Sequence, residues 1–189
     1  MPTIITTTVR SVLAWMLLAL PVAAEALHML DDESPGGDEL FAITQLLGWL
    51  LVWTVVRDLR AIAGSSRWGP LLVTAGVAFQ AGFAAVYLVS SLVTGEPAAA
   101  SFIAFLLGFL ALTVGGLVWS FRLRRTPWAL ARLGLVGVAV LGLVAIAAGD
   151  NVAHEVALQG SYLSWILVGL GAVRREQGSR PGVVSAWSR

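Results

Sequence analysis

Six apolar runs, each of membrane-spanning length, take up almost the whole chain. A bilayer core of ~30 Å needs about 20 helical residues at about 1.5 Å per residue. The runs cover residues 9–30, 38–60, 68–94, 98–121, 128–149 and 151–172. Each stops at polar punctuation: Asp31-Asp32-Glu33-Ser34-Pro35-Gly36-Gly37, the arginines around 57–67, Gly95-Glu96-Pro97, Arg122-Leu123-Arg124-Arg125, Gly149-Asp150 and Arg174-Arg175. Connections this short make consecutive spans antiparallel neighbours and leave no room for a second domain. The expected fold is all-α: a polytopic membrane protein of six transmembrane helices in antiparallel hairpins, forming one domain over 1–175, with a short polar tail at 176–189.

Composition agrees. Of 189 residues, 58% are hydrophobic and 12% charged, against about 25% charged in an ordinary soluble domain. So little charge cannot coat a water-soluble surface, and so much apolar bulk excludes intrinsic disorder. With no cysteine in the chain, disulfides, thiolate metal sites and thiol catalysis are excluded.

The net charge of +1 hides a strong asymmetry. All twelve basic residues are arginines, and under the six-span reading all lie at one face: Arg10, then Arg57, Arg60 and Arg67, then Arg122, Arg124, Arg125 and Arg132, then Arg174, Arg175, Arg180 and Arg189. Nine acids lie toward the other face: Glu25, Asp31, Asp32, Glu33, Asp38, Glu39, Glu96, Asp150 and Glu155. Only Asp58 and Glu176 accompany the arginines. Basic residues remain cytoplasmic during insertion, so both termini are expected in the cytoplasm of a bacterial plasma membrane. Trp68, Trp119 and Trp128 fall at the inner boundary, where an indole is both solvated and buried in apolar surroundings.

The first span has a second reading. Arg10, an apolar stretch and Pro21-Val22-Ala23-Ala24 have the form of a secretory signal with a small-residue cleavage site. The apolar pattern continues to Leu30, which favours a retained span. A weak repeat relates Phe41-x4-Leu46-Leu47-Gly48-Trp49-Leu50 to Phe102-x3-Leu106-Leu107-Gly108-Phe109-Leu110. The small-residue pairs Ala78/Gly82, Ala111/Gly115 and Ala145/Gly149 are expected at helix contacts.

Ionisable groups within a span are costly and mark functional candidates. Here they gather in one layer near the outer surface. Span one offers Glu25 and His28, three residues apart on one face. Span six offers Asp150 and His154, with Glu155 beside them and Gln159 and Tyr162 deeper; Gln45 and Tyr87 come from spans two and three. The two histidines of the chain thus lie at similar depth.

Four readings compete for this layer. In the plainest, the groups decorate the headgroup region, with Asp150 or Asn151 capping span six. In the second, they line an outer-leaflet pocket for a lipid-like or isoprenoid ligand, in a binding protein, a subunit of a larger membrane complex, or an acid–base enzyme (isomerase, cyclase or hydrolase). The enzyme would use Glu25, His28, Asp150 and His154 as its acids and bases, with Gln45, Tyr87, Glu155, Gln159 and Tyr162 contacting the ligand. In the third, Glu25-x-x-His28 with Asp150 and His154 holds Zn, Mn or Fe, or the two histidines ligate one haem. In the fourth, the chain transports ions or solutes, against which stands the scarcity of polar side chains at mid-depth. No phosphate-binding loop, dinucleotide fingerprint, nucleophile elbow, zinc-protease motif or nucleic-acid patch is present. The expected partners are membrane lipids, a lipid or isoprenoid ligand, or other membrane proteins, and no nucleic acid.

Overall fold

A computed structural model describes residues 4–28, 37–63, 68–95, 98–123, 128–149 and 152–178. All six elements among them are α-helices: α1 Ile4–His28, α2 Gly37–Ala63, α3 Trp68–Thr94, α4 Ala99–Arg122, α5 Ala129–Ala148 and α6 Val152–Gly178. Four of these, within α2, α3, α4 and α5, are long and apolar enough to cross a membrane. The described apolar stretch of α1 is shorter, Thr7–Ala19. In α6, His154, Gln159, Ser161 and Ser164 dilute the apolar residues.

The main boundary difference lies at the end of α6, which continues through Arg174, Arg175 and Glu176 to Gly178. Arginine and glutamate end an apolar run but are good helix formers, so the polar tail expected from residue 176 begins as helix. Residues 179–189 lie outside the described residues, as do Asp31–Gly36.

The helices form a closed ring in which each packs on the next and α6 returns to α1; α2 also touches α6 across the interior. Contacts between neighbours run in opposite directions. Gly48 of α2 meets Leu18 and Ala14 of α1, while Asp58, further along α2, meets Thr7 and Arg10. Gly69 sits on Trp119 and Phe83 on Phe102, so α3 and α4 are antiparallel. Gly116 meets Leu135 while Phe109 meets Gly142, and Gly171 meets Ala131 while Ser161 meets Val138. Gly169 lies on Ser11 and Gln159 reaches Ala19, so α1 and α6 are antiparallel too.

Glycine permits close approach at several of these helix contacts. A Cβ at Gly76 would stand 2.8 Å from the Leu112 nitrogen and 2.9 Å from the Gly108 carbonyl. One at Gly134 would stand 2.7 Å from the Ser164 carbonyl. Such contacts let helices associate where apolar surroundings remove the hydrophobic drive. Of the expected small-residue pairs, Gly115 does lie at the α3–α4 contact. Ala78 and Gly82 do not: Ala78 is exposed, and a Cβ at Gly82 would meet nothing within 4 Å. The face that α3 turns inward carries Val73, Gly76, Gln80 and Phe83, which rotates Ala78 and Gly82 to the outside. Gly149 ends α5 with φ 65°, a value that favours glycine.

The core is built from Trp49, Val52, Leu112, Trp119, Leu135, Val168 and Trp165, with Leu18 of α1. Rows of Leu, Val, Ile and Phe cover the exterior, including Leu47, Leu50, Phe102, Leu106, Leu110, Leu133 and Val140. That surface suits a lipid environment, in which an apolar exterior carries no penalty.

Candidate functional site

The buried polar side chains that link different helices concentrate on α1, α2 and α6. Thr7, Ser11, Ala14 and Leu18 form the buried seam of α1. Pro21 has no N–H, so the Leu17 carbonyl loses its helical donor and the turn around it is weakened.

Two glutamines serve this turn from opposite sides. Gln45, 1% exposed on α2, donates from Nε2 to the Leu18 carbonyl at 2.9 Å. Its Oε1 accepts from the Trp49 indole at 3.2 Å. From α6, Gln159 donates through Nε2 to the adjacent Ala19 carbonyl at 3.0 Å. Buried amides without partners are expensive in an apolar interior, and the backbone of α1 supplies the acceptors. The donors of both glutamines, expected to contact a ligand, are thus directed to α1.

Tyr162 is buried edge-on to Trp49, their ring centroids 5.9 Å apart, and Trp165 meets Trp49 from the same helix at 6.4 Å. These rings fill the interior between α2 and α6. Tyr87 belongs to a different cluster, with Phe41 at 5.9 Å and Phe83 at 5.7 Å, extended by Phe105 and Phe109. Phe41 and Gln45, one turn apart on α2, connect this cluster to the first.

His154 is half-buried near the start of α6, with Nδ1 2.7 Å from the Ala145 carbonyl of α5. A carbonyl only accepts, so the contact places the proton on Nδ1. In the neutral ring Nε2 is then the basic nitrogen. The register that pairs Ser11 with Gly169 and Ala19 with Gln159, continued along both helices, brings backbone position 25 level with position 154. Glu25 and His28 lie within α1 and Glu155 within α6, but their side chains, and Asp150 altogether, lie outside the described residues. Among the described residues no three His, Asp or Glu side chains are grouped to hold a metal ion. A surface groove of about 420 Å³ runs along α3 beside Ala85, Val86, Val89, Ser90, Val93 and Thr94. None of the expected site residues lines it.

The sequence reading missed Asp58. It is 7% exposed on α2, at the arginine-bearing end. Arg10 of α1 lies 3.5 Å from its Oδ2, Thr7 donates to the same oxygen at 3.5 Å, and Arg57 approaches Oδ1 at 3.8 Å. A signal was available, since Asp58 stands among Val55, Val56 and Leu59 and is one of two acids on the basic side. Two further buried groups, Thr113 Oγ1 and Trp165 Nε1, have no hydrogen-bond partner among the described residues.

Comparison with protein-family models, with curated proteins and with solved structures finds no match for this chain.

Proposed function

We propose that this chain is a six-span integral protein of a bacterial plasma membrane, with both termini cytoplasmic, and that it binds the polar head of a lipid-like ligand at the outer end of α1 and α6. The antiparallel α1–α6 contact carries this reading. Its register supports a site shared by Glu25 and His154, and Gln159 reaches across that same contact. The orientation rests on the described arginines: Arg10, Arg57, Arg60, Arg122 and Arg132 all fall at one end of the antiparallel ring. An apolar exterior below the polar layer suits an acyl or isoprenoid tail. The protein acts alone or as the ligand-binding subunit of a larger membrane complex.

Native mass spectrometry of the detergent-purified protein tests the reading. The expected result is a lipid or isoprenoid mass excess that is lost in Glu25→Gln and in His154→Ala, with both variants still monodisperse. A bare protein mass, or an adduct kept in both variants, overturns it. A mass excess matching haem or a metal ion replaces it with the metal-site reading.

Acid–base catalysis is a second reading, in which the His154 ring, oriented by the Ala145 carbonyl, exchanges a proton with the bound lipid. Turnover of the bound lipid, abolished in His154→Ala while binding persists, is the result that would install it.

A further inference from the structure

We infer that Gln45 and Gln159 are positioning residues: they hold α1 at its proline-weakened turn and so set where Glu25 and His28 stand relative to α6. The inference rests on the ligand-site reading above, since it assigns the glutamines to that site's alignment rather than to ligand contact.

Proline at 21 deprives the Leu17 carbonyl of its donor and loosens the neighbouring hydrogen bonds of the same turn. The next two carbonyls, Leu18 and Ala19, are the ones that accept from Gln45 and Gln159. The donors come from the two helices that flank α1, so together they resist both a tilt toward α2 and a tilt toward α6. Gln45 is itself held by the Trp49 indole, which fixes its amide orientation. Glu25 and His28 follow within two turns of Pro21. Any change of bend at that turn is levered outward onto them.

The chain has no cysteine, so an engineered pair is unique. Glu25→Cys with His154→Cys, treated with a short bismaleimide in native membranes, reports the α1–α6 alignment without any ligand. The probe is applied to four proteins: the parent pair, the pair with Gln159→Leu, the pair with Gln45→Leu and Gln159→Leu, and that last combination with Pro21→Ala. One interhelical hydrogen bond in a membrane bundle shifts an equilibrium by about threefold. Crosslinking is therefore expected to fall about threefold with Gln159→Leu, to fall further with both leucines, and to recover when alanine at 21 restores the missing N–H. Gln159→Leu leaves the more buried Gln45 in place, so it remains informative if the double-leucine protein does not fold. Unchanged crosslinking in the leucine variants, or failure of Pro21→Ala to restore it, overturns the inference. If crosslinking behaves as expected but Glu25→Gln and His154→Ala both keep the lipid adduct, the ligand-site reading fails and the positioning role stands.

Discussion

Gly76 and Gly82 lie on the same helix, and the same substitution should act on them with opposite sign. Gly76 faces α4, where a Cβ would meet the Leu112 side chain at 2.7 Å, its nitrogen at 2.8 Å and the Gly108 carbonyl at 2.9 Å. Two of these three atoms belong to the α4 backbone, which cannot turn aside, so α3 and α4 must separate by several tenths of an ångström. Overpacking of this kind costs about 1–3 kcal/mol. A Cβ at Gly82 meets nothing within 4 Å. Both substitutions gain the same helix propensity, about 1 kcal/mol for Gly to Ala, so that contribution cancels in the comparison. Gly76→Ala should therefore lie about 1–3 kcal/mol below Gly82→Ala in unfolding free energy. The assay is reversible unfolding in dodecyl maltoside and sodium dodecyl sulfate mixed micelles, followed by far-UV circular dichroism. If Gly76→Ala proves as stable as Gly82→Ala, the glycine-mediated α3–α4 contact is refuted.

Arg10→Ala should destabilise the protein more than Asp58→Asn in the same assay, because it removes the nearer of two arginines from a buried carboxylate, whereas Arg10 is partly exposed and can rehydrate when the carboxylate is neutralised. Equal losses would refute that account. Trp49→Phe removes the donor to Gln45 and should cost about 1–3 kcal/mol, since it leaves a buried amide oxygen unpaired; an unchanged midpoint counts against the bond. Single cysteines introduced at Arg60 and Arg122 should react with a membrane-impermeant maleimide only after spheroplasts are lysed, and labelling of intact spheroplasts would reverse the proposed orientation.

Helix positions were legible in the sequence because the apolar run length and its punctuation are set by one-dimensional chemistry. α3 matches its expected bounds and the others differ from theirs by a few residues at one or both ends, most of all α6, where helix-forming polar residues extend past the apolar limit. Which face each helix turns inward was much less legible. In an apolar exterior, leucines face lipid as readily as core, so hydrophobic periodicity loses its usual force; that is why Ala78/Gly82 was assigned to a contact it does not make. The roles of Gln45 and Gln159 were also hidden. Their depth could be counted, but their acceptors are backbone carbonyls on α1, a helix distant in sequence from Gln159. Asp58 was masked by its neighbours, since an acid between two arginines reads as a surface anchor until the packing of α1 buries it.

Both halves of the ring use glycine contacts and directed bonds, but the directed bonds are more numerous around α1, which bears on where function can reside. Between α3, α4 and α5 most contacts are glycine against backbone, as at Gly76, Gly115 and Gly116, with aromatic rings filling the outer part and one directed bond, from Gln80 Nε2 to the Phe105 carbonyl at 3.0 Å. The glycine contacts are short-range and nondirectional, and they tolerate no new side chain. The α1–α2–α6 half has directed bonds spaced along its length: Asp58 with Arg10 at one end, Gln45 with Leu18 and Gln159 with Ala19 further along. Directed bonds fix rotation and register as well as distance. A helix carrying Glu25 and His28 must hold its rotational setting if those groups are to meet a ligand, and α1 is the helix on which these bonds converge. Exchanging Gly76 or Gly115 for alanine should accordingly lower stability while leaving the Glu25–His154 crosslink yield of the folded fraction unchanged. The leucine replacements of the glutamines should lower that yield even where the fold persists.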